Sequence, residues 1–160
     1  MKLLRDKILS LSKQYHQDVI SWRRHIHAHP ELSMQEFKTA EYVAARLKEF
    51  GIPYEKGIAK TGIVGLIRGK NPEKKTVALR ADMDALPILE SNDVEYKSKN
   101  EGVMHACGHD VHTTSLLGTA KILNELKNQF EGTVKLFFQP SEEMYPGGAI
   151  MMIREGVMKN

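Results

Sequence analysis

The apolar residues of this chain change their period near Pro53, and that change limits it to folds in which helices are layered against a sheet. Across residues 3–26, Leu4, Ile8, Leu11, Tyr15, Val19, Trp22 and Ile26 recur every three or four positions, which is one face of a long amphipathic helix. Pro30 ends it, because the residue before a proline is pushed out of the helical region. Ser33-Met34-Gln35-Glu36 has the capping-box pattern and opens a second predicted helix reaching about Phe50. Phe37, Tyr42 or Val43, and Leu47 are its inward positions, and Gly51 is its stop. Beyond Pro53, residues 63–67 and 76–81 are β-branched and aliphatic runs of strand length. Gly69-Lys70-Asn71-Pro72-Glu73 between them suits a turn, which predicts a hairpin.

Residues 85–103 are irregular, with one run at 94–96 that reads as an edge strand. Helical spacing returns over 113–126 through Leu116, Leu117, Ala120 and Leu123. Residues 133–138 are nearly all apolar, as in a strand covered on both faces. Gly147-Gly148 opens a last helix that Gly156 closes. The expected fold class is α/β, a three-layer α-β-α arrangement with a mixed sheet. The chain stops at Lys159-Asn160, directly after a helix, where this alternation would feed another strand, so a truncated domain is expected.

At 160 residues there is room for one ordinary domain. The net charge of +3 is scattered, and Arg23-Arg24 and Lys74-Lys75 are only doublets, which argues against nucleic acid or a membrane surface as partner. The first residues lack the apolar core of a signal peptide, and no run approaches a membrane span. Cys107 is the only cysteine, so an internal disulfide is impossible and the cytoplasm is the expected compartment.

Three clusters carry chemistry, each where a strand hands over to a loop. Asp82 and Asp84 follow the second strand; taken alone they read best as turn or helix caps. His105, Cys107, His109, Asp110 and His112 lie within eight residues. A thiolate and an imidazole separated by one glycine can turn onto one point, and both are preferred ligands of zinc-like ions, with Asp110 able to orient an imidazole. Two ligands do not close a site, and a buried inert cysteine is the plainer alternative. Glu142 and Glu143 follow the apolar strand. One carboxylate on a metal and the other on a water suits metal-assisted hydrolysis, although a solvated pair at a helix start would look the same.

Taken in order, His27-Ala-His29-Pro30-Glu31-Leu32-Ser33, Arg80-Ala-Asp82-Met-Asp84-Ala-Leu-Pro87, Met104-His-Ala-Cys107-Gly-His109-Asp110-Val-His112 and Phe138-Gln-Pro140-Ser-Glu142-Glu143 strongly resemble the aminoacylase and carboxypeptidase superfamily of co-catalytic metalloenzymes. Within it they look closest to the branch of hippurate hydrolase, indoleacetyl-amino-acid hydrolases and N-acyl amino acid amidohydrolases. The resemblance implies a zinc-exopeptidase-like catalytic domain and two divalent ions, zinc, manganese or cobalt. It implies Cys107 as bridging ligand, His109 on one metal, Glu143 on the other and Glu142 as general base. Asp82 and Asp84 would orient ligands, with Asp110 beside them; His105 and His112 are not expected as ligands, and His29, Pro30 and Glu31 have a structural part only.

The implied substrate is a small N-acyl amino acid or short peptide. Family members are more than twice this length and carry further histidine ligands and a lid-and-dimerisation domain, so residues 1–160 would be the N-terminal part of the catalytic domain of a homo-oligomeric parent. No histidine follows His112. The chain alone is therefore expected to bind metal weakly and to be inactive. Two rival readings are a cysteine hydrolase with Cys107 as nucleophile, and a non-catalytic fragment or degenerate copy acting in folding or association.

Overall fold

A computed structural model describes residues 2–159. Four helices and four strands follow one another as α1 (Lys2–Ala28), α2 (Phe37–Glu49), β1 (Tyr54–Ile58), β2 (Gly62–Arg68), β3 (Thr76–Asp82), α3 (His109–Glu125), β4 (Thr133–Gln139) and α4 (Gly148–Arg154). The strands form one mixed sheet in the order β1-β2-β4-β3. β1 and β4 each run antiparallel to β2, and β3 runs parallel to β4.

Alternation along the strands separates two faces. Ile63 and Ile67 of β2, Ala81 of β3, and Leu136 and Phe138 of β4 point to one of them. There they meet Trp22 of α1, Val43 and Leu47 of α2, and Leu117 and Ala120 of α3. The opposite face is thinner: Phe137 packs with Ile58, Ala59 and Met152 of α4. α4 is drawn against the end of β4, where a Cβ on Gly148 would lie 1.8 Å from the Pro140 carbonyl oxygen. Only glycine fits there. β3 is an edge strand, and its Val77 stays 47% exposed. Among the described residues no helix is long and apolar enough to cross a membrane.

The expected hairpin between residues 63–67 and 76–81 is not formed, because β4 lies between the two strands. Past β2 the chain keeps pairing toward the start of β4, with Gly69 N donating to Gly132 O and Lys70 N to Phe130 O, both at 2.9 Å. A turn-rich segment reports that the chain reverses; it does not report which strand it then joins. β2 and β4, each buried at four of seven positions, take the two central places, and β4 is joined to its parallel partner β3 through the α3 crossover. β1 has no counterpart in the sequence reading, since Tyr54, Glu55 and Lys56 give it little apolar character.

Residues 94–96 are not a strand; Tyr96 lies in a turn with the guanidinium carbons of Arg23 and Arg24 each 5.0 Å from its ring centroid. α3 begins at His109, four positions before the expected start at residue 113. The capping box is not made either. α2 starts at Phe37, and it is the Glu31 carboxylate that accepts the N–H groups of Lys38 and Thr39, at 3.2 and 2.8 Å. Phe37, expected inside, is 52% exposed, whereas Val43 and Leu47 are fully buried.

Candidate metal centre

β3 and β4 are parallel and end side by side, so the residues following each enter one crevice. Asp82 closes β3 and Asp84 lies just past it; Glu142 and Glu143 follow β4 after Pro140 and Ser141. Gly108, at φ 84°, turns the chain from Cys107 into α3, and His109 is the first residue of that helix.

His109 is the hub. Its side chain is 2% exposed, and its Nδ1–H donates to the Asp84 carbonyl oxygen at 2.8 Å. That leaves Nε2 free to face Asp82 Oδ1 and Glu143 Oε1 at 3.7 Å and Glu142 Oε2 at 3.9 Å. These separations are too long for hydrogen bonds, so the ring nitrogen and three carboxylates surround a point instead of bonding across it. The Cys107 thiol joins them: one ligand atom each from Cys107, His109 and Glu143 all lie within 4.8 Å of one another. Asp82, His109 and His112 form a second trio within the same limit.

The electrostatics of this crevice follow from its gathered carboxylates. Burial alone would depress His109, but the Asp84 hydrogen bond and the Asp82 and Asp84 charges raise it above the ordinary histidine value. The hydrogen bond to Glu143, then desolvation and the neighbouring Glu142 and Asp82 charges, push the Cys107 thiol up. Burial also opposes the charge on Asp84. It is overcome by hydrogen bonds from His109, from Ser33 Oγ at 2.6 Å and from the amides of Glu142 and Glu143 at 2.9 and 3.0 Å, which hold the carboxyl well below its usual range. Thiolate, imidazole and carboxylate are the donor types of a zinc-like ion, and a divalent charge would offset the surplus of carboxylates. The residues present fit such an ion.

Cys107, His109, Glu142 and Glu143 thus come together, with Asp84 bonded to the ring of His109. Asp110 does not sit with Asp82 and Asp84: its Oδ2 takes His27 Nδ1 and Arg23 Nε, both at 2.8 Å. His112, set aside in the sequence, donates Nδ1–H to Asp82 Oδ1 at 2.7 Å. The signal for it was its i, i+3 offset from His109 on one helix face. His105 is buried, which lowers it to about 4, and neither of its ring nitrogens has a hydrogen-bond partner among the described residues. Ser33 and Glu36 were hidden by their own pattern, since a serine and a glutamate three apart suggest a helix cap before they suggest a site.

The sequence profile of peptidase family M20/M25/M40 matches residues 78–160, just over half of the chain. The chain is 50% identical to the N-acyl-L-amino acid amidohydrolase of Geobacillus stearothermophilus, over 98% of its own length and 42% of that protein's. It is 52% identical to the hippurate hydrolase of Campylobacter jejuni, over 86% and 35% respectively. Among solved structures, the Bacillus subtilis YXEP protein, a dinuclear metal binding peptidase from the M20 family, superimposes with a TM-score of 0.86 at 42% identity. That match covers 92% of this chain and 41% of the other. The chain spans about two fifths of the length of the relatives it matches.

Proposed function

The chain belongs to peptidase family M20/M25/M40, and from that premise we propose that residues 1–160 are the N-terminal part of the catalytic domain of a metal-dependent amidohydrolase. Its substrate class is the N-acyl amino acid or short peptide, cleaved to a carboxylate and an amino acid; the relatives named for N-acyl amino acids and hippurate support this. The observation that carries the reading is the convergence of Cys107, His109, Glu142 and Glu143 on one point of the crevice.

Cys107, His109 and Glu143 would hold the metal, two divalent ions of zinc, manganese or cobalt. Bound there, the ions supply Lewis-acid polarisation of the scissile carbonyl and acidify water. Asp84 keeps the proton of His109 on Nδ1, so that Nε2 presents a lone pair to the crevice. Glu142, held at the crevice but 40% exposed, takes the proton of the attacking water and returns it to the leaving nitrogen. Remaining ligands and the lid-and-dimerisation domain come from the rest of a longer, homo-oligomeric protein, and the 160-residue chain alone is inactive.

A cysteine nucleophile is disfavoured because it would leave Glu142 and Glu143, gathered around His109 at the crevice, without a role. The test is elemental analysis of the dialysed chain beside Cys107→Ala, and turnover of an N-acyl amino acid by a chain of the relatives' length. Metal lost in Cys107→Ala, with activity abolished by chelation and about 10²–10⁴-fold lower in Glu142→Gln, is expected. Activity that survives chelation would sink the reading.

A further inference from the structure

The turn carrying Glu142 and Glu143 is fastened at three successive backbone amides, and both fasteners are buried carboxylates. Asp84 takes the amides of Glu142 and Glu143. The amide before them, Ser141 N, donates to Glu36 Oε1 at 2.7 Å across 105 residues of sequence. Glu36 is 0% exposed, and its second oxygen accepts from Thr61 Oγ1 at 2.7 Å. Both donors are neutral. A carboxylate fully removed from water is costly unless its lone pairs are well satisfied, so such a group needs a reason to be there. Capping α2 is not that reason, because Glu36 occupies the N-cap position without a side-chain bond to the helix.

Its partner supplies the reason. Ser141 has φ 49°, in the left-handed region that side-chain-bearing residues seldom occupy. Its N–H is held by Glu36 and its carbonyl by Gly148 N at 2.7 Å. That kink lets two adjacent residues beyond a strand, which in extended chain would point apart, both face His109 Nε2.

We propose that Glu36 is a positioning residue for the reaction: through Ser141 it fixes the left-handed turn that aims both Glu142 and Glu143 into the crevice. This rests on the reading of Glu142 as base and Glu143 as ligand given above. Glu36 touches neither metal nor substrate and acts only through the backbone at 141–143.

Backbone amide exchange, read by NMR on the metal-free chain, tests the clamp without needing any metal to bind. Glu36→Gln keeps an oxygen for Ser141 N and offers Thr61 an amide, and it should exchange like the unaltered chain. Glu36→Ala, and Glu36→Asp with its shorter reach, should speed exchange at Ser141, Glu142 and Glu143 by about ten- to a hundredfold. Val43 and Leu136 should keep their protection. Acceleration spread over Val43 and Leu136, or none at 141–143, overturns the proposal. Co²⁺ titration of the same proteins then reads the consequence: Glu36→Asp should weaken Co²⁺ binding about tenfold, and no further in a Glu143→Ala background. An equal loss in that background overturns the aiming role. An unaltered chain that binds no Co²⁺ counts against the metal reading, and the exchange pattern still decides the clamp.

Discussion

Among the described residues, two buried histidines lie within 4 Å of carboxylates, and one of the two is saturated by them. His27, on α1, is 3% exposed; its Nδ1 meets Asp110 Oδ2 at 2.8 Å and its Nε2 meets Glu90 Oε1 at 3.0 Å. Both nitrogens are used at hydrogen-bond length, and Ser98 N and Asn92 Nδ2 complete the shell of Glu90. His109 is as deeply buried, but only its Nδ1 is used; its Nε2 looks across 3.7–3.9 Å at three acids. The contrast gives a rule for reading such clusters. A histidine whose acids come within bonding distance is holding the fold together, whereas one whose acids stand off together is arranged around something else.

The largest expected effect comes from removing the saturated histidine. His27→Ala leaves Asp110 and Glu90 buried without their common partner, and urea unfolding of the chain should show a loss of about 3–5 kcal/mol. His109→Ala should cost less in the metal-free chain, about 1–2 kcal/mol, because Asp84 keeps Ser33 Oγ and two amides. Equal losses for the two would end the distinction.

Acid sharpens it further. Burial works against the charge of Glu90, but the His27, Ser98 and Asn92 hydrogen bonds win and hold it at about 2 against the usual 4.5. A lowered folded-state value means the unfolded chain takes up the proton first. The stabilisation is therefore complete above about pH 4.5 and disappears as pH falls toward 2; it amounts to roughly 2–3 kcal/mol. Unfolding free energies measured across that window should slope for the unaltered chain and flatten in Glu90→Gln. The smallest expected effect lies outside both clusters: Glu31→Ala should remove the cap of α2 and lower stability by about 1 kcal/mol, without changing metal content.

What was legible in the sequence had a short range. The α1 face could be read because its period is local, and Cys107 and His109 because one glycine joins them. The hairpin is not formed because strand order is settled by pairing across the whole sheet, and residues 69–73 carry no trace of the distant strand that β2 joins. Glu36 was out of reach for a sharper reason. Its pattern with Ser33 fits a local cap, while its actual partner is Ser141, and only the fold that lays the start of α2 beside the turn after β4 brings them together. Asp110 sits beside His109 in sequence, yet the turn of α3 carries its carboxylate to His27.

The free edge of β3 has a consequence for handling the chain. A seven-residue strand bonded on one side leaves peptide groups along the other open to any extended segment in solution, and Val77 adds an apolar contact there. In isolation, therefore, the colloidal behaviour of the chain should depend on its concentration. A proline or lysine placed near the start of that strand should raise its solubility while leaving the crevice at the strand's C-terminal end untouched.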